Sequence, residues 1–118
     1  MNNIAIKNTE NYMTLDYDIV ETMLEPYKFT AEEHTEEDGS VILCLNEIKF
    51  LIETGATREE AIKNLAAEIL DFSKDYFNDL KFWARGNGKA HVPYLLKALM
   101  LNDVEKIGGL ITCRLGEI

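Results

Sequence analysis

The sequence has few cysteines and prolines and no long hydrophobic run. Its 118 residues include only two Cys, two Pro and one Trp. Cys44 and Cys113 form neither a Cys-x-x-Cys motif nor a spaced framework, so we interpret both as reduced thiols and expect no disulfide scaffold. The chain does not begin with a basic segment and an apolar run, and no stretch of about eighteen apolar residues occurs. We therefore expect a soluble cytoplasmic protein.

Signatures of catalysis are missing as well. No serine or cysteine lies in a recognisable nucleophile motif, and no glycine-rich phosphate loop occurs. Asp16 and Asp18 would point about 200° apart on a helix, so we interpret them as stabilising a helix N-terminus. His91 precedes Val92-Pro93, which is typical of a helix entry. We predict a binding protein that is not an enzyme and uses no metal or cofactor.

Acidic residues dominate the sequence, but they are unevenly distributed. The net charge is −9: residues 1–80 hold 18 acidic and 6 basic residues (net −12), whereas residues 81–118 hold 3 acidic and 6 basic residues (net +3). An acidic body is attracted to basic protein surfaces, whereas a basic segment can contact nucleic acid. The distribution predicts a basic protein partner. The alternative is an acidic face that serves only solubility.

The first half of the chain predicts one helix followed by strands. Residues 1–13 show no regular pattern, and apolar residues from Thr14 recur with helical spacing until Pro26 ends the helix. Residues 27–32 alternate between apolar and polar, which is typical of a strand with one wet face. The Asp38-Gly39 dipeptide then predicts a hairpin turn.

Two further strands and a long helix complete the predicted core. Residues 41–45 are apolar on both faces, and Ile48, Phe50 and Ile52 alternate in a third strand. Thr57 and Glu60 form a capping box that starts a helix of five to six turns. We predict an α+β fold in which this helix packs on a three-stranded antiparallel sheet, with a core of Phe29, Leu43, Phe50, Ile62, Leu65 and Ile69.

The last third of the sequence predicts two short helices. Pro93 fits the first turn of one helix that continues to Met100, and Asn102-Asp103 caps a second. We expect one domain over residues 1–118, with a helix-sheet-helix core at 14–80 and a basic helical C-terminal extension at 81–118. Edge strands on so small a sheet, and the apolar helix from Pro93 to Leu101, predict a homodimer.

Two groups of charged residues are candidate binding sites. The spacing of the acidic group matches no Ca²⁺ loop, so we interpret it as a solvated hairpin tip, and its charge makes it a candidate for binding a basic partner. The basic group surrounds Trp83 and Phe82, an arrangement that can stack bases, although Trp83 also fits the end of a helix that packs into the core. The candidate partner-binding residues are Glu32, Glu33, Glu36, Glu37 and Asp38, and the candidate nucleic-acid-binding residues are Lys81, Arg85, Lys89 and Lys97.

The run Gly55-Ala56-Thr57-Arg58-Glu59-Glu60-Ala61, preceded by the turn Glu37-Asp38-Gly39-Ser40 and followed by a helix, resembles the HicB antitoxin family over about residues 27–80. The resemblance implies a partial ribonuclease H-like sheet and helix that binds and blocks a basic ribonuclease toxin. It also implies a C-terminal segment that binds promoter DNA.

Three features depart from the HicB pattern. Asn46-Glu47 replaces the proline-containing link between strands, a helix from Thr14 precedes the first strand, and residues 81–118 match no DNA-binding pattern. A second group, resembling Phd or YefM, also has small acidic members, although its N-terminal repressor motif is not evident. The sequence therefore predicts an antitoxin, and the alternative is a non-catalytic adaptor or regulatory domain that binds another basic protein.

Overall fold

The computed structural model describes residues 3–7 and 12–116. In chain order the elements are β1 (Asn3–Lys7), β2 (Tyr12–Asp16), α1 (Tyr17–Leu24), β3 (Phe29–Thr35), β4 (Val41–Leu45), β5 (Ile52–Gly55), α2 (Arg58–Asn78), α3 (Leu80–Trp83), a 3₁₀ helix (Gly86–His91), α4 (Val92–Leu101), α5 (Val104–Gly109) and β6 (Ile111–Leu115).

The N-terminal part forms a hairpin in which β1 pairs with β2 in antiparallel register, with Asn3 opposite Asp16. The irregular start predicted over residues 1–13 is therefore wrong for residues 3–7, 12 and 13, which lie in strands, and the helix predicted from Thr14 begins only at Tyr17. Asp16 is its N-cap, and its carboxylate accepts a hydrogen bond from the Asp18 N–H at 2.8 Å. The helical spacing read from Thr14 gave no indication that residues 12–16 pair with β1. The predicted irregular start also includes residues 1, 2 and 8–11, which lie outside the described residues.

The main sheet has four strands in the order β5-β4-β3-β6. The pairs β3·β4 and β4·β5 are antiparallel, whereas β6 lies parallel to β3 with Phe29 opposite Ile111. The predicted three-stranded antiparallel sheet is therefore corrected to a four-stranded mixed sheet. A parallel neighbour requires a long crossover, here through the helices that follow β5, and its partner cannot be recognised from local pattern.

The third strand lies further along the chain than predicted. The Leu51 N–H donates to the Ile48 carbonyl at 3.0 Å, so residues 48–51 form a turn and the strand begins at Ile52. Ile48 and Leu51 are buried, whereas Phe50, a predicted core residue, is 57% exposed. The alternation of apolar residues from Ile48 therefore does not indicate a strand here, because residues 48–51 form a turn that buries the side chains of Ile48 and Leu51.

One hydrophobic cluster joins the sheet to α2 and to the C-terminal elements. Helix α2 contacts the strands β4 and β5 and the helices α4 and α5. Four of the five remaining predicted core residues are buried, and Ile62 is partly buried against them. The segment 81–118, expected to be an extension, supplies Leu95, Ala98, Ile107 and Ile111 to the same cluster.

The start of α2 matches the predicted cap. The Thr57 hydroxyl accepts a hydrogen bond from the Glu60 N–H at 3.2 Å. Gly55 ends β5 directly beside this first turn, and a Cβ there would collide with backbone atoms of Glu60 and Ala61. The glycine thus lets α2 begin in contact with the sheet. Among the described residues, none of the helices has the length and hydrophobicity needed to cross a membrane.

Candidate functional site

The acidic turn, which we define as Glu36, Glu37 and Asp38, joins β3 to β4 at one end of the main sheet. The Gly39 N–H donates to the Glu36 carbonyl at 2.9 Å, and the Glu36 N–H donates to the Ser40 carbonyl at 2.8 Å. Gly39 adopts φ +88°, a left-handed conformation that glycine tolerates without strain. The Asp38-Gly39 hairpin turn predicted from the sequence is confirmed.

The carboxylates of the acidic turn point to solvent. Glu36, Glu37 and Asp38 are all exposed, as is Glu32 on β3. The Ser40 hydroxyl donates to the Asp38 carboxylate at 2.6 Å, and the Ser40 N–H donates to it at 2.9 Å. Both bonds lower the pKa of Asp38, the hydroxyl bond more than the N–H bond. The turn therefore presents three negative charges to any approaching cation, and Glu32 adds a fourth on the adjoining strand.

Glu33 does not belong to that exposed group. Its side chain is only 6% exposed and forms a bidentate ion pair with Arg58, in which Nε donates at 2.6 Å and Nη2 at 2.9 Å. The placement of Glu33 among exposed partner-binding residues is corrected, because it lies on the inward side of β3 with Phe29 and Ala31. That alternation was visible in the sequence, whereas nothing local marked Arg58 as its partner.

Cys113 on β6 lies beside the Glu33–Arg58 pair. Burial raises the pKa of the Cys113 thiol, Glu33 raises it further, and Arg58 opposes them. Because the thiolate is the reactive form, this environment favours an unreactive thiol. Cys44 and Cys113 are both free, and in the described residues no group of three His, Cys, Asp or Glu side chains is arranged to hold a metal ion.

Three of the four candidate nucleic-acid-binding residues lie in one segment. Lys81 belongs to α3, Arg85 follows it, and Lys89 belongs to the 3₁₀ helix, and all three are exposed. Lys97 lies apart from them, because its Nζ donates to the Tyr27 carbonyl at 2.8 Å. Burial and then the neighbouring Lys28 lower the pKa of Lys97. Lys97 thus serves the contact between α4 and the entrance to β3.

A row of aromatic rings adjoins the basic segment. Trp83 packs edge-to-face on Phe72 and on Phe82, with ring centroids 5.0 and 4.9 Å apart. Phe72 also meets Phe50, at 5.1 Å, and Phe50 meets His91, at 6.1 Å. Burial lowers the pKa of His91. Trp83 is half-buried and packs against the core, which agrees with its interpretation as the end of a packing helix, whereas base stacking by Trp83 stays a prediction. Nothing in the sequence indicated that Phe50 would lie at this surface.

A cavity of about 360 Å³ lies between α1 and α4. Its lining is mainly apolar, and Glu21, Glu25 and Lys97 contribute charges of both signs. The Tyr17 hydroxyl donates to the Met100 carbonyl at 3.4 Å across this space. The mixed charges indicate no particular ligand.

Similarity to known proteins points to one functional class. Residues 2–113 match the model of the PHD_like family, which is described as antitoxin of toxin-antitoxin, RelE/RelB, TA system. A crystal structure from Syntrophomonas wolfei subsp. wolfei, described as the antitoxin part of a proposed toxin/antitoxin system, is 28% identical with a TM-score of 0.79 and covers 97% of this chain and 83% of that one. None of the curated proteins shows significant similarity to the sequence.

Proposed function

Because the chain belongs to the PHD_like family of toxin–antitoxin antitoxins, we propose that it binds and neutralises a basic ribonuclease toxin. The family match over residues 2–113 carries the proposal. The role requires no catalytic step, in agreement with a sequence that lacks the motifs of catalysis. The likeness to HicB antitoxins over residues 27–80 stays a prediction, since the matching family model is a different one.

The charge of the chain supports a basic partner. A ribonuclease that grips RNA through cationic side chains presents a surface that an acidic protein can cover. Residues 1–80 carry a net charge of −12, and the acidic turn lies at one end of the sheet with no Lys or Arg between Ala31 and Leu45. Binding there would compete with RNA for the toxin. We place this encounter in the cytoplasm, where the RNA substrate is found.

The experiment that tests neutralisation uses the protein encoded beside this chain's gene. If that neighbour is a small basic ribonuclease, mixing the two proteins at a stoichiometric ratio is expected to abolish RNA cleavage. Cleavage that persists when the toxin is saturated would contradict the proposal. In that case a basic protein other than a toxin, bound by this chain as an adaptor, becomes the better account.

Reversing the charge of the acidic turn is expected to slow association with the toxin. The triple variant Glu36→Lys, Glu37→Lys, Asp38→Lys should reduce the association rate constant by about ten-fold or more and weaken its salt dependence, because exposed charges steer encounter. Dissociation should change less. Stopped-flow measurements over a range of salt concentrations, with Glu59→Lys and Glu105→Lys as exposed charge-reversal controls, give both rate constants. Equal slowing by the controls would remove the special role of the turn.

Autoregulation of transcription is a second part of the proposal, and the basic segment favours it. Between Leu80 and Asn102 the sequence contains four basic residues and no acidic one, in a chain with 21 acidic residues overall. Lys81, Arg85 and Lys89 are then the phosphate contacts. Lys97 is left out because its ammonium group already binds the Tyr27 carbonyl.

We also propose that the protein is a homodimer. The edge strand β6 has one unpaired side, and Leu115 near its end is 79% exposed. Antiparallel pairing of β6 with the same strand of a second copy would give a two-fold symmetric sheet. Light scattering as a function of protein concentration measures the mass, and a monomer that persists at high concentration contradicts the dimer.

A further inference from the structure

An exposed surface that combines aromatic and basic residues lies where the β4–β5 turn meets α3 and the 3₁₀ helix. We define the aromatic-basic surface as Phe50, Phe82, Trp83 and Arg85 together with the flanking Lys81 and Lys89. Phe50 and Phe82 are 57% and 50% exposed. Consecutive ring centroids from Phe50 through Phe72 and Trp83 to Phe82 are each about 5 Å apart, so the two exposed rings belong to one packed row.

Arg85 places a positive charge over one ring of this row. Its guanidinium carbon lies 4.8 Å from the centroid of the Phe82 ring, and its Nε donates to the Phe82 carbonyl at 3.1 Å. These two contacts hold the guanidinium over the ring without neutralising it. Lys81 and Lys89 are exposed on either side along the chain, and no acidic residue occurs between Leu80 and Asn102. The surface is therefore complementary to a polyanion that also carries flat apolar groups.

The shape of the segment that carries Lys81, Arg85 and Lys89 favours single-stranded over duplex nucleic acid. Duplex DNA is read by an α-helix or a β-ribbon inserted into the major groove, and its bases are stacked out of reach of side-chain rings. Helix α3 has four residues and the 3₁₀ helix has six, so neither provides a recognition helix. Single-stranded RNA exposes the faces of its bases, which stack on aromatic rings and on arginine planes.

We propose that the aromatic-basic surface binds single-stranded RNA. Bases stack on the exposed rings of Phe50 and Phe82, with Arg85 extending the second platform, while Lys81 and Lys89 contact the phosphates. The inference rests on the nucleic-acid contact proposed for this segment and names single-stranded RNA, in competition with promoter DNA, as the ligand that these residues bind. It is independent of toxin binding through the acidic turn.

Trp83 provides a direct signal for this binding, because it is the only tryptophan of the sequence and packs on Phe82. Titration of the full-length protein with a twelve-nucleotide oligouridine is expected to quench the fluorescence of Trp83. The binding constant should fall with salt, with a logarithmic slope of about −0.7 for each phosphate contact. The double variant Lys81→Gln, Lys89→Gln should therefore lower the magnitude of that slope by roughly 1.4.

The variant Phe82→Leu tests stacking separately from folding, since it keeps an apolar side chain. It is expected to weaken oligouridine binding roughly 5- to 150-fold, which is the range for loss of one base-aromatic stack. Tyr27→Leu, at an exposed aromatic residue elsewhere on the protein, and Lys63→Gln, on the exposed side of α2, are the matched controls and should bind like the wild type. Thermal unfolding of each variant shows that its fold is retained.

The outcomes separate the RNA proposal from the function proposed above. Absence of binding, or full affinity of Phe82→Leu, would overturn the RNA proposal while neutralisation of the toxin stays intact. Tighter binding to a twelve-base-pair DNA duplex than to oligouridine would overturn it in favour of promoter contact. If Phe82→Leu instead loses toxin neutralisation and the wild type binds no RNA, the aromatic-basic surface belongs to the toxin interface and the RNA proposal is equally overturned.

Discussion

The variant Leu65→Ala is expected to lose about 2–5 kcal/mol of unfolding free energy. Leu65 on α2 is fully buried in the hydrophobic cluster, so truncation removes apolar contacts and leaves a cavity. Equilibrium unfolding in urea measures the loss as a fall in the transition midpoint at unchanged slope.

A matched control for this experiment lies two residues earlier on the same helix. Lys63 is exposed, and Lys63→Ala keeps a strong helix former there, so its unfolding free energy should stay within about 0.5 kcal/mol of the wild type. A loss below about 0.5 kcal/mol for Leu65→Ala as well would mean that the apolar stripe of α2 that contains Leu65 is not buried.

Gly55→Ala is expected to be the other strongly destabilising change, by about 3 kcal/mol or more, at the upper end of the range for overpacking. The added Cβ would collide with backbone atoms of Glu60 and Ala61, and backbone cannot rotate away as the end of a side chain can. Relief requires the first turn of α2 to move off β5, which also stretches the Glu33–Arg58 ion pair.

Gly109 gives the comparison that isolates this effect. It lies in α5, a Cβ there would meet no atom within 4 Å, and its φ is not positive, so Gly109→Ala should be neutral or slightly stabilising. The same urea titration compares both variants. Equal stability of the two would contradict the close approach of β5 to α2.

The features predicted correctly from the sequence are those that depend on neighbouring residues. The Asp38-Gly39 turn, the Thr57 cap and the helix starts near Pro93 and Asp103 each need only a few adjacent side chains. The exposure of the acidic side chains at residues 36–38 could also be predicted from the hairpin turn, because solvent surrounds the tip of a hairpin.

The features that the sequence did not predict depend on residues far apart in the chain. Strand β6 has a side-chain pattern too short to identify, and only its place beside β3 makes it a strand. Glu33 was counted with its exposed neighbours because its partner, Arg58, lies 25 positions away. Phe50 came to the aromatic-basic surface because a turn replaced the expected strand there.

The parallel pairing of β6 with β3 affects how the protein is made. Strand β3 finds β4 across a short turn, but it must wait for β6 until Ile111–Leu115 leaves the ribosome, several seconds later at about 5–20 residues per second. During that interval the edge of β3 from Phe29 to Glu33, which later pairs with β6, has unpaired backbone groups that another strand could bind. A second copy of β6 that reached this edge first would close the sheet between two polypeptides instead of within one.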